Sequence, residues 1–97
     1  MAGMHDWSLI SIQVDWAVGS VQIDLRSPTG HAAIAVSGFQ NLLIPKDQLW
    51  GASRSINKVV GPTQRNDGLF DLAIEMQSGD VIEIQAASFD LPNAENK

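Results

Sequence analysis

His5-Asp6 sets an imidazole beside a carboxylate, the raw material of general acid–base chemistry. In extended chain, however, neighbouring side chains point to opposite faces, so adjacency in sequence does not make them a catalytic pair. His5 and Asp6 read as a solvated or capping pair in an N-terminal arm, residues 1–6. His31 follows a turn at Gly30 and reads as an exposed turn residue. With these two histidines and no cysteine, the chain lacks a thiol nucleophile, a disulfide and the ligands of a multi-histidine metal site. Closely spaced acids ending in a glutamate, as in a calcium loop, are absent as well. The expectation is no catalytic residue, no metal and no cofactor.

Asp15 and Asp24 are the more informative carboxylates. A hairpin turning at Gly19-Ser20 sets them directly opposite each other on its polar face. Like charges so placed destabilise a sheet by roughly 0.2–1 kcal/mol, unless Gln13 and Arg26 in the neighbouring pair relieve them. Such a pair serves as a solvated face, as a contact for a partner's Arg or Lys, or as a cation site. Glu75 and Glu83 lie on the polar face of a second hairpin. Between the two stands Trp50-Gly51-Ala52-Ser53-Arg54-Ser55-Ile56-Asn57, the least regularly patterned part of the chain. Trp50 with Arg54 and Asn57 has the composition of a binding hot spot, and the same tryptophan equally suits a plug at the open end of a small β domain. No helix start with a lysine follows Gly51, so the phosphate-loop pattern is incomplete.

Net charge is −5, with six Lys and Arg against eleven Asp and Glu. That balance excludes a surface built to neutralise phosphates, hence no nucleic-acid role. Charge is also uneven. Lys46, Arg54, Lys58 and Arg65 cluster in the middle of the chain, while seven of the eleven acids lie from Asp67 onward. An acidic half steers a basic partner toward it and also keeps a small domain soluble. The longest apolar run, Ala32 to Val36, is far too short for a membrane span, and the N-terminus lacks the order of a secretion signal. The chain is expected in the cytoplasm, away from membranes.

Positioning these residues falls to β-strands. Ile10, Ile12, Val14 and Trp16 alternate with Ser11, Gln13 and Asp15; Val21, Ile23 and Leu25 alternate with Gln22, Asp24 and Arg26. A period of two marks antiparallel sheet with one buried face. The first hairpin is read as Trp7–Val18 against Val21–Arg26 through a two-residue turn, pairing Trp16 with Ile23 and Val14 with Leu25 and directing Trp16 inward. A turn at Ser27-Pro28-Thr29-Gly30 then sets Ile23 opposite Ile34 and Val21 opposite Val36. Gly38 interrupts the alternation, after which residues 39–44 either continue the strand with a bend or begin a new one. Ser53–Val60 is a weaker strand with Ile56 inward, followed by an exposed connection from Gly61-Pro62 to Asn66-Asp67-Gly68. Pro45–Leu49 is the best place for a helical turn. The last hairpin, Leu69–Met76 to Asp80–Ala87, turns at Gln77-Ser78-Gly79, pairs Ile74 with Ile82 and Leu72 with Ile84, and keeps Glu75 and Glu83 apart. Residues 93–97 form a polar tail. The expected fold is a single all-β domain over residues 1–97: an antiparallel sandwich or partly open barrel of about six to seven strands built from hairpins. Such an open sheet has edges that homo-oligomerisation would cover.

The combination of His5-Asp6-Trp7, Asp15-Trp16, Trp50-Gly51 with Ser53, Ser55 and Asn57, and Ile74 through Asp80 resembles a group of small uncharacterised bacterial β-rich proteins. Some proteins of that kind resemble immunity proteins of bacterial polymorphic toxin systems. The resemblance implies a non-enzymatic protein-binding role and carries no catalytic residue with it. Together with the charge, it leads to an acidic module that binds a basic protein partner, with Asp15, Asp24, Glu75, Glu83, Trp50, Arg54 and Asn57 as candidate contacts. The alternative is a β domain that binds a small ligand or carbohydrate on Trp50.

Overall fold

The computed structural model describes residues 4–45 and 54–92. The strands are β1 (Ser8–Asp15), β2 (Ser20–Ser27), β3 (Gly30–Leu43), β4 (Ile56–Gln64), β5 (Phe70–Met76) and β6 (Val81–Asp90). They make one antiparallel sheet in the order β1-β2-β3-β6-β5-β4, and among the described residues there is no helix. Two three-stranded meanders are thus joined along the long central strands β3 and β6. The sheet is not closed into a barrel, but its two edges meet at one end. Ser8 bridges Ser55, and the Leu9 and Ile56 amides donate to the Arg54 and Trp7 carbonyls, each at 2.8 Å.

One face of the sheet carries the core: Val21, Ile23 and Leu25 from β2, Ile34 and Val36 from β3, Leu72, Ile74 and Met76 from β5, and Ile82, Ile84 and Ala86 from β6. Alternation places them there, and the solvent face takes the polar residues between. At the centre both long strands change face together. The inward pair Val36–Phe89 is followed not two but three residues on by the inward pair Phe39–Ala86. Gly38 and Ala87 sit at this switch, where a Cβ on Gly38 would come within 2.9 Å of the Ala87 Cβ. The paired switch lets the two meanders turn their apolar faces toward one shared core. A bulge between Phe39 and Asn41 then returns Leu42 to the inside, opposite Ile84.

The expected pairings of Ile23 with Ile34, Val21 with Val36, Ile74 with Ile82 and Leu72 with Ile84 are all present. Residues 39–43 continue β3, so the bend at Gly38 does not start a new strand. Three expectations are corrected. β1 ends at Asp15, which pairs with Ser20, and Trp16-Ala17-Val18-Gly19 form a four-residue turn. Val14 therefore meets Val21 and Ile12 meets Ile23, a displacement of four residues from the pairing read from pattern. Trp16, expected inward, is 83% exposed and meets Phe39 edge to face, ring centroids 6.0 Å apart. Gly61-Pro62, expected in a connection, lies within β4, where a register shift between Val60 and Thr63 absorbs it. The N-terminal arm is also partly internal, because Met4 is a core residue, as is Trp7 just beyond the arm. The helical turn expected at Pro45–Leu49 falls, beyond Pro45, outside the described residues.

Candidate functional site

The first hairpin does not bring Asp15 and Asp24 together. Asp24 lies opposite Ser11 on β1 and Ala33 on β3, while Asp15 closes the turn against Ser20. Nor do Gln13 and Arg26 form a pair: Gln13 faces Gln22, and Arg26 faces Ser8 and His31. The four-residue displacement of β1 accounts for both corrections.

Asp24 is a carboxylate enclosed by donors. Its Oδ2 accepts from Ser11 Oγ at 2.9 Å and Gln13 Nε2 at 2.8 Å. Its Oδ1 accepts from Gln22 Nε2 at 2.8 Å and His31 Nε2 at 3.3 Å. The register explains this, since Ser11 is directly opposite, Gln22 two residues along the same face, and Gln13 diagonal to it. Asp24 is only 8% exposed, the one charged residue in the buried set among the described residues. The Gln22 hydrogen bond first, then that of Ser11, and more weakly His31 hold its pKa below the usual aspartate value, against burial, which raises it. Serine, histidine and aspartate thus occur together but not as a nucleophilic relay. The Ser11 hydroxyl donates its hydrogen bond to the carboxylate, and the imidazole bonds the other carboxylate oxygen, so the imidazole is not aimed at the serine oxygen. The cluster anchors β1, β2 and β3 side by side, and it leaves Asp24 no free oxygen to offer a partner's cation.

Asp15 shapes the turn. Its Oδ1 accepts from the Val18 amide at 3.2 Å and its carbonyl from the Gly19 amide at 2.9 Å. The Gly19 carbonyl in turn accepts from the Phe39 amide at 3.1 Å, tying the tip to β3. The turn is therefore held at both ends, and it presents Trp16 and Val18, the latter 74% exposed, to solvent. Exposed large apolar side chains on a fixed backbone make a contact surface with little ordering cost. Neither residue is among the candidate contacts read from sequence, where Trp16 is assigned to the core. The available signal was Asp15 three residues before Val18 and four before Gly19, the spacing of an aspartate that caps its own turn.

The second hairpin carries the remaining acids. Glu75 accepts from Asn57 Nδ2 at 3.1 Å and lies 3.8 Å from Lys58 Nζ, so it is engaged within the sheet. Asn57 also receives the His5 imidazole on its carbonyl at 2.8 Å. Asp6, beside His5, accepts from Gln77. Glu83 is exposed and stands opposite Ala73. Around the small Ala73 side, Val60, Thr63, Asp71, Glu83 and Gln85 line a shallow groove of about 330 Å³. Asp71 there is paired with Arg65 at 3.2 Å. Arg54 is exposed, and its described interaction is the backbone bond to Leu9. Trp50 lies outside the described residues. Of the candidate contacts, the structure thus sets Asn57 and Glu75 together, leaves Glu83 open nearby, encloses Asp24 and gives Asp15 to the turn.

No family model matches the chain, and no curated protein does. Among solved structures, an uncharacterized protein from Neisseria gonorrhoeae is similar in fold, with a TM-score of 0.60 and 15% sequence identity over 89% of each chain. At that identity the likeness is one of fold alone.

Proposed function

We propose that this chain is a non-enzymatic protein-binding module that captures a basic partner, in the manner of an immunity protein neutralising a toxin, within the cytoplasm. The observation that carries the reading is the first hairpin tip. Trp16 and Val18 are held in solvent by a hydrogen-bonded turn rather than folded onto the core. A tryptophan so exposed costs a monomeric domain free energy in water and is recovered when a partner covers it. The net charge of −5 sets the sign of that partner, and Asp15 beside the anchor and Glu83 on the second meander supply exposed carboxylates. Apolar anchors hold a complex together, while exposed charges govern how fast it forms.

The test uses the immobilised chain and host lysate at low and moderate salt. A basic protein should be retained by the wild type, lost from the Trp16→Ala, Val18→Ser double variant, and captured more slowly by Glu83→Lys. Circular dichroism would first establish that the variants fold. A retained protein that is indifferent to the tip substitutions would sink this assignment.

A further inference from the structure

The two edges of the sheet are built differently. β4 carries Lys58 and Pro62 and two register irregularities, between Ile56 and Lys58 and between Val60 and Thr63. These are devices by which an edge strand resists pairing with another chain. β1 holds no lysine, arginine or proline, and no charged residue from Ser8 through Val14. Its entrance is covered by Arg54 and Ser55. Beyond Leu9, among the described residues, β1 pairs with β2 alone. The bulge at Ile10 marks that boundary, and Ser11 through Asp15 then keep an unbroken register against β2. Ile10 and Val14 are left 49% and 46% exposed, on either side of Ile12, which packs against the core. Among the described residues no strand lies beyond β1 over this stretch, which leaves these side chains half covered.

We infer that this edge joins the same edge of a second copy, β1 against β1 antiparallel about a two-fold axis at Ile12, so that the two sheets continue as one. Three features select a second copy. A two-fold contact must be self-complementary, and the strand around Ile12 has the same character in both directions: Ile10 meets Val14, Ser11 meets Gln13 and Ile12 meets itself. The open stretch from Ile10 to Val14 is centred on that same residue. Each copy carries a charge of −5, so like charge opposes approach, and this strand presents a run in which neither copy has a charge. Because β4 is blunted, a β1-to-β4 contact that would propagate from copy to copy is disfavoured, and the assembly closes at two.

Sedimentation velocity of the full chain at micromolar concentration should show a species of about twice 10.5 kDa. Val14→Lys places a lysine on the open edge and should yield a monomer with an unchanged far-ultraviolet dichroism spectrum. Val60→Lys, the same change at a similarly exposed valine on β4, should leave the dimer intact. The chain has no cysteine, so Ile12→Cys introduces a single thiol that faces its own copy across the axis. Mild oxidation should link that variant into covalent dimers and leave Val60→Cys unlinked. A monomeric wild type would overturn the inference, as would a dimer that survives Val14→Lys, one lost equally with Val60→Lys, or an Ile12→Cys chain that does not cross-link.

Discussion

Asp24 shows what a carboxylate does when its neighbours, rather than water, supply the donors. Gln22, Ser11 and His31 favour its charged form more than burial disfavours it, so its pKa in the folded chain lies below the usual aspartate value. The linkage has a definite sign. Unfolded chain binds this proton at higher pH than folded chain, so the stabilisation is complete above the unfolded-state value and is lost as pH falls through the lowered folded-state one. Asp24→Asn should therefore lower stability at neutral pH and flatten the acid limb of a plot of urea midpoint against pH. An acid limb identical in wild type and variant would show that the four donors do not discriminate the charged form. Gly61 makes a second demand at this scale. At φ 106° it sits in β4 where an added Cβ would lie 2.5 Å from the Asp71 carbonyl oxygen, a backbone atom that cannot swing aside. Gly61→Ala should cost about 1–3 kcal/mol from backbone strain alone, read as a lower urea midpoint at unchanged slope. A loss under about 0.5 kcal/mol, the range of ordinary surface changes, would show that the neighbouring register shift absorbs the side chain.

The first hairpin is the element on which sequence and structure part, and the reason lies in parity. Alternating apolar residues exclude an odd slip between strands, because an odd slip turns one strand's face to solvent. They do not exclude a slip of four. Pairing Trp16 with Ile23 and pairing Ile12 with Ile23 both bring apolar residues together on the inner face, and Gly19 serves a two-residue turn or, at φ 81°, the end of a four-residue one. The choice is made by the Asp15 side chain on the Val18 amide and the Gly19 carbonyl on Phe39, a contact twenty residues away that no local pattern contains. The second hairpin was legible because its loop is short and Met76 and Asp80 close it in one way, with the Met76 amide on the Asp80 carbonyl. The candidate site suffered most from the slip, since it separated Asp15 from Asp24 and moved Trp16 from core to surface. The consequence is measurable. Trp16→Ala should change stability by no more than about 0.5 kcal/mol, as surface substitutions do, whereas Ile23→Ala, wholly buried on the adjacent strand, should cost about 2–5 kcal/mol. Equal losses in denaturant melts would return Trp16 to the core.

At the scale of the molecule, a single sheet can enclose a core only if its two ends are brought together, and here the N-terminal segment does this. Met4 is fully buried, Trp7 nearly so, and both belong to the same cluster as the central strands. Around them the Asp6 amide donates to the Ile56 carbonyl, the Ile56 amide to Trp7 and the Leu9 amide to Arg54, each at 2.8 Å. The first and fourth strands are thus stitched at one end through Asp6 and Trp7, just before β1, and Leu9 at its start. The seam between the start of β1 and the residues that lead into β4 joins positions more than forty apart in sequence, contacts that carry a loop-closure cost. Met4→Ala should accordingly cost about 2–5 kcal/mol, while Met4→Leu, close in volume, should cost less than about 1.5 kcal/mol. Hydrogen exchange locates the effect. In Met4→Ala the Leu9 and Ile56 amides should lose protection well before those of β5 and β6, because the seam opens without dissolving either meander. If all core amides instead weaken together, the seam and the meanders form one cooperative unit, and the N-terminal segment is an inseparable part of the core rather than a clasp upon it.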